Sequence, residues 1–312
     1  MDVEEQLSWE QRVGRIVAIA AFASAALFLA ALIYQSVAIP TLYRDAGSGE
    51  QLLHFYDHRN DVLIGTILQA LSTALVAAPL WFLYEATRFR RPETPRAARY
   101  LALIGGPLVG ILVFVRHFAV VGAAEKLRDE MAKSPLSPPA ADQFADDRLA
   151  DSLQLVEVVR FAAGLALAFA FILVSLNAMR AGLLSRFMGV LGIIVGVLFV
   201  LPLLGTIPVV QIFWIAALGL LFIGRWPQGG RGPAWETGEP DPWPTAQERQ
   251  AALMEARERG GDQAGEDDRP HEAIAAGRRP APDPEPDDAE HVNGARQHTP
   301  HPRSKKRKRK RR

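Results

Sequence analysis

The residue types best suited to chemistry gather in three places along this 312-residue chain. The first is QLLHFYDHRND at residues 51–61, where His54 and His58 are four apart and Asp61 follows three later. On one helix that spacing aligns two imidazoles and a carboxylate along one side, and these are ordinary ligands of a divalent metal. The Glu that follows the first His in the zinc-protease pattern is missing. An amphipathic helix lying at an interface, with Leu53 and Phe55 towards lipid, explains the same letters. The second place holds Arg116, His117, Glu157 and Arg160, whose depth depends on the elements carrying them. The third is the ending RSKKRKRKRR. With no cysteine, disulfides, thiolate metal sites and Cys nucleophiles are excluded. No phosphate-binding glycine loop with its Lys, nucleophile elbow or HExxH pattern occurs, so the expectation is a protein that is not an enzyme and has no cofactor.

Composition averages of 49% hydrophobic and 22% charged residues, with a formal charge of +1, would suit a soluble enzyme. The distribution does not: nearly all long apolar runs lie between Ile16 and Gly224, and a Pro-, Gly- and charge-rich stretch follows. A bilayer core of roughly 30 Å needs about 20 apolar helical residues, and an open segment can satisfy its backbone in lipid only as a helix. Six stretches qualify, at about 16–38, 62–84, 101–121, 155–176, 187–204 and 207–224. The last two are separated only by Gly205, Thr206, Ile207 and Pro208, and Pro disfavours helical geometry in the residue before it. The expected fold is all-α, a polytopic transmembrane bundle of six spans (residues 16–224) between a short N-terminus (1–15) and a disordered C-terminal tail (225–312). Asp2, Glu4, Glu5 and Glu10 precede the first run, whereas a secretory signal has a basic start and a shorter apolar run; the run is therefore a permanent span.

Orientation follows from the positive-inside bias. Arg88, Arg90, Arg91, Arg96 and Arg99 follow span two, Arg180 and Arg186 follow span four, and Arg225 and Arg231 follow span six. The opposite segments, 39–61 and 122–154, are acidic on balance. Both termini are expected in the cytoplasm. Arg dominance over Lys and abundant Ala suit a GC-rich bacterial genome, hence a bacterial plasma membrane. Arg116 falls some 24 Å up a 30 Å core at 1.5 Å per residue, near the outer boundary, and Glu157 and Arg160 enter span four from that side on one helix face. Either the four residues form an outward-facing polar cluster at the mouth of a solute cavity, or the arginines reach to headgroups with Glu157 neutralised beside them. The spans carry Ser24, Gln35, Thr66, Gln69, Ser72, Thr73, Ser175 and Gln211 but no mid-membrane charge, which argues against an ion-driven pump. Gln69 and Gln211 suit helix-to-helix hydrogen bonds, and the pairs Gly106/Gly110, Gly164/Ala168 and Gly192/Gly196 suit close helix packing within the chain or between copies.

In the tail, Thr245 with Glu248 three residues on forms a capping box, predicting a short helix over 246–259. The remainder to Pro302 has a disordered composition with an acidic block at 283–290. Lys305, Lys306, Arg307, Lys308, Arg309, Lys310, Arg311 and Arg312 form a polybasic end at 303–312. Three fates are open to it: a solvated run paired in cis with the acidic block, attraction to anionic lipid headgroups, or contact with ribosomal RNA.

The stretches MRAGLLSRFMGVLGIIVG and QIFWIAALGLLFIGRW, within residues 179–226, resemble the closing part of multispan actinobacterial membrane proteins described only as domains of unknown function. That resemblance implies a six-span plasma-membrane bundle and no activity. The leading expectation is a non-enzymatic scaffold or accessory protein whose basic tail contacts lipid or a protein partner. A small-solute permease with the outer polar cavity, and a membrane-biogenesis factor recruiting ribosomes, are the alternatives.

Overall fold

The computed structural model describes residues 2–38, 46–200, 209–226 and 231–243, together with 248, 250, 251 and 254. Two compact units divide the chain, Met1–Ala251 and Ala252–Arg312, and in the second only Met254 is described. Every regular element among the described residues is helical: α1 (Val3–Ala38), α2 (Ser48–Asp57), α3 (Arg59–Leu75), α4 (Ala77–Arg90), α5 (Arg96–Lys133), α6 (Pro138–Arg180), α7 (Arg186–Val200), α8 (Val209–Phe222) and α9 (Ala234–Thr237).

Four helices are long and apolar enough to cross a membrane: α1, α3 joined with α4 as Arg59–Arg90, α5 and α6. They contain the first four expected spans, and the chain is a helical membrane protein. Exposed aliphatic and aromatic side chains, among them Ile16, Ile19, Ile33, Val37, Ile104, Ile111 and Phe118, cover their outer surfaces; so much exposed apolar surface has lipid as its natural neighbour. α7 and α8 are apolar but shorter. Residues 201–208, with the expected break at 205–208, lie outside the described residues.

Local sequence explains the joint in the second long helix. Pro79 has no N–H to donate to Leu75 and its ring crowds that carbonyl, four residues back; α3 ends at Leu75 and α4 resumes at Ala77. Close packing elsewhere follows glycine. A side chain on Gly106 would sit 2.5 Å from the Thr73 carbonyl, and one on Gly110 2.7 Å from that of Ala70, so α5 lies directly on α3. On α7, Gly196 faces the Ala168 carbonyl at 2.8 Å, and Gly192 faces Ser175 and Trp214. Gly164 meets nothing within 4 Å. Hydrogen bonding across α1 and α3 falls to Ser24 and Ser72, each donating its hydroxyl at 2.8 Å to the other's carbonyl. No interhelical hydrogen bond from the Gln69 or Gln211 side chain occurs among the described residues. Fully buried Phe82, Tyr84, Phe171, Trp214 and Phe222 fill the interior.

The two ends of the bundle differ. At one end α5 and α6 run well beyond the expected limits of 121 and 155, making segment 122–154, which carries no strong helix signal in its acids, largely helical. Its alanines supply the reason: Ala123, Ala124, Leu127, Ala141 and Ala145 bury against Leu52 of α2, forming a small helical cap with its own core. Asp142 fixes that cap across the chain, accepting the Gly49 amide at 2.9 Å while its carbonyl accepts the Ser48 hydroxyl at 3.1 Å; it satisfies a free N–H at the start of α2. At the other, basic end lie the N-terminus of α1, the turns 91–95 and 181–185, and residues 231–243. This last segment falls in the expected disordered tail (225–312), yet it is packed, with Ala234 and Trp235 buried. Of the expected helix at 246–259, Glu248, Gln250, Ala251 and Met254 are helical and the other positions lie outside the described residues, as do the acidic block and the polybasic end from Lys305 to Arg312.

Candidate functional site

The most elaborate polar arrangement is at the basic end, around Arg90, the last residue of α4. Its guanidinium pairs with Glu10 of α1 through two bonds, Nη1 to Oε1 at 2.6 Å and Nη2 to Oε2 at 3.0 Å. Nη1 also donates to the Ala86 carbonyl at 2.9 Å, and Nε to that of Ala234 at 2.8 Å. Gln6, one helical turn before Glu10, donates to its Oε1 at 2.8 Å. Both charged side chains are inaccessible, at 0% and 2% exposure, so the pair holds only because its lone pairs and protons are met on every side.

The segment after α8 closes over this pair as a strap. Arg231 donates to the carbonyls of Leu221 and Phe222, capping the end of α8 where the helix dipole favours a cation. Burial pushes its guanidinium below its ordinary pKa, and Glu10 opposes that effect. Trp235 lies 5.6 Å from the Arg90 guanidinium and 5.2 Å from that of Arg231, within cation–π range. Its ring stacks on Phe82 and its Nε1 donates to the Leu183 carbonyl at 2.9 Å. Further along, the Asp241 amide reaches the Ala181 carbonyl at 3.3 Å and Trp243 Nε1 reaches that of Gly182 at 3.0 Å. Gly182 has φ +80, and any side chain there would collide with the Asp241 carbonyl. The strap is thus tied to α1, α4, α8 and the α6–α7 turn.

Clefts open at this end among the described residues. One of about 500 Å³ lies among Arg91, Arg180, Arg186, Val190 and Trp243. Another of about 420 Å³ is bordered by Trp9, Trp81, Glu85 and Arg88, and a third of about 350 Å³ by Arg88, Arg96, Arg99 and Tyr100. Arg88 donates to the Tyr84 hydroxyl at 2.7 Å. Arg99 Nε lies 2.8 Å from Glu85 Oε1, an ion pair without hydrogen-bond alignment. Arg91 pairs with Glu93 at 2.7 Å, and the Glu93 carboxyl is held below its usual pKa, first by its own amide and then by Arg91. Such a surface attracts anions.

Three of the four expected polar-cluster residues meet near the middle of α5 and α6, between the basic end and the cap. Glu157 accepts Arg116 Nε at 2.9 Å and Arg160 Nε at 2.6 Å, joining α5 to α6. All three side chains are between 36% and 47% exposed, which places them on the surface of the helix pair. His117 is not with them: it is buried beside Phe55, 5.5 Å between rings, with Nδ1 unpartnered. The step of 100° from one helical residue to the next separates it from Arg116.

The His54, His58 and Asp61 set is divided. α2 ends at Asp57 and α3 starts at Arg59, so one straight helix does not carry all three. The two rings stack 4.4 Å apart, with His58 Nδ1 3.0 Å from the His54 carbonyl. Asp61 instead accepts the Tyr34 hydroxyl at 2.9 Å. No three His, Asp or Glu side chains converge as a cation site among the described residues.

The sequence pattern marks Glu10 and Arg90 only as charges flanking spans and leaves Trp235 within the tail. One signal was available: Trp235 and Trp243 are large aromatic residues within a Gly- and Pro-rich stretch, where they have no use unless they dock.

Taken together these features define a helical membrane protein with a structured cap at one end and an arginine-rich, strapped face at the other. No family model, curated protein or solved structure matches the chain.

Proposed function

We propose that this chain is a non-enzymatic integral membrane protein of the bacterial plasma membrane, related to the multispan actinobacterial proteins it resembles. It has six spans, α7 and α8 being parts of the last two, with the strapped face and both termini in the cytoplasm. Its role is that of a scaffold or accessory component: the bundle holds the base of a long cytoplasmic tail whose polybasic end contacts anionic lipid or a partner. The observation carrying this reading is the buried Glu10–Arg90 pair with Ala234 and Trp235 closed over it. Such an arrangement commits two charges to fixing the point where the tail leaves the membrane. Orientation is supported by the gathering of Arg88, Arg91, Arg96, Arg180, Arg186 and Arg231 at one end.

The permease alternative is separated from this reading by reconstitution. Proteoliposomes of the full-length chain should admit small solutes no faster than empty vesicles, whereas partners copurifying from native membranes should be lost when the chain is ended at Pro244. Solute entry that falls on Glu157→Ala, with partners unchanged by tail removal, would overturn the scaffold assignment.

A further inference from the structure

The cleft between Arg180, Arg186 and Trp243 combines two features that seldom share one surface. Its polar wall is cationic. Arg180 and Arg186 flank the α6–α7 turn, and neither has an ion-pair or hydrogen-bond partner among the described residues; Arg91 joins them across the cleft. Nearby acids leave the two turn arginines uncompensated: Glu93 pairs with Arg91 alone, and Asp241, whose carbonyl faces Gly182, forms no ion pair among the described residues. The rest of the lining is oily, made by Met179, Val190 and Pro242.

From Val190 the apolar surface continues along α7. Phe187, Val190, Ile194 and Val197 are between 40% and 60% exposed, and their spacing of three, four and three residues puts them on one helical stripe. The stripe begins beside Arg186 and runs into the membrane. Trp243 is held at the mouth by its bond to the Gly182 carbonyl, as indole rings settle where oil meets water.

We propose that this cleft is a binding site for an acidic glycerophospholipid. Arg180 and Arg186 take its phosphate, aided by Arg91, Trp243 covers the glycerol region, and an acyl chain lies along the α7 stripe. Guanidinium groups match phosphate oxygens in geometry as well as charge, and basic pockets at helix ends hold anionic headgroups. The inference rests on the membrane placement and on neither the scaffold role nor the polybasic tail.

Native mass spectrometry of the full-length protein, carrying phosphatidylglycerol and phosphatidylcholine in equal amounts, tests it. At least one phosphatidylglycerol should be retained selectively. Arg180→Gln with Arg186→Gln should weaken retention about 30-fold, the equivalent of about 1 kcal/mol for each arginine. Arg12→Gln with Arg15→Gln, which removes the same charge from exposed positions on α1, should leave it unchanged. Equal loss in both variants would mean diffuse attraction and overturn the site. Full displacement by inorganic phosphate would mean that the cleft reads the anion alone, overturning the lipid assignment. Because arginine removal can disturb insertion, the unaltered protein gives a second readout: photoreactive phosphatidylglycerol should label the Arg186–Val200 segment in preference to photoreactive phosphatidylcholine. Equal labelling by the two lipids refutes the proposal.

Discussion

Replacing Glu10 with Ala isolates what the buried pair does. In the native protein both Arg90 Nη atoms bond to Glu10, and the remaining bonds run to the carbonyls of Ala86 and Ala234. Removing the carboxylate leaves a guanidinium with 0% side-chain exposure and no counter-charge. Breaking such a pair from one side costs about 3–5 kcal/mol, because the surviving charge has lost both water and partner. For a unit of this size that lowers the melting temperature by on the order of 10 °C. Replacing both residues, Glu10→Met with Arg90→Met, removes the uncompensated charge and should be milder than Glu10→Ala alone. The strap should report the change directly, since Arg90 Nε holds Ala234 and Glu10 lies close to Arg231. Trypsin should cut slowly at Arg231 in the native protein, where its guanidinium is held by the Leu221 and Phe222 carbonyls, readily in Glu10→Ala, and less so in the double variant. Thermal melts in mild detergent and timed proteolysis measure both quantities. A Glu10→Ala protein that melts like the native one and keeps Arg231 protected would refute the reasoning.

Glycine packing predicts a contrast. Gly106→Ala forces a methyl group against the Thr73 carbonyl and should cost about 1–3 kcal/mol, whereas Gly164→Ala meets open space and should be neutral or gain up to about 1 kcal/mol from helix propensity; melts of the two variants decide. Asp142→Ala should expose the Gly49 amide to faster hydrogen exchange and loosen α2, at about 1 kcal/mol for a lost cap. Glu157→Ala should change stability by less than about 1 kcal/mol, since the trio is part-exposed and, placed at the outer bilayer boundary, its arginines can reach headgroups and water, where such pairs contribute little; a larger loss would mean that Arg116 and Arg160 face hydrocarbon or are buried in the assembled protein.

Apolar run length carried most of the fold, because hydrocarbon leaves a helix as the only open way to pair backbone groups. The meeting of Arg116, Glu157 and Arg160 was also legible, since rise per residue fixes depth on two antiparallel helices. Its exposure was not, because facing depends on how the helices rotate about their axes. Glu10 and Arg90 read as ordinary flanking charges: they lie 80 positions apart, and a pairing at that separation leaves no periodic trace. Gly and Pro density suggested disorder after α8, but disorder depends on whether docking energy exceeds ordering entropy, and two tryptophans with waiting carbonyls on Leu183 and Gly182 tip that balance. The cap was missed for the opposite reason: small alanines give a weak hydrophobic signal, yet they let α2, α5 and α6 approach closely.

In the proposed topology the bundle presents its cap outside the cell and its strap inside, and cysteine labelling tests that directly. The chain has no cysteine, so Ser134→Cys at the cap end and Glu239→Cys in the strap each introduce a single exposed thiol. A membrane-impermeant maleimide should modify the Ser134→Cys protein on intact cells and the Glu239→Cys protein only after permeabilisation. Labelling of the Glu239→Cys protein on intact cells would contradict the account.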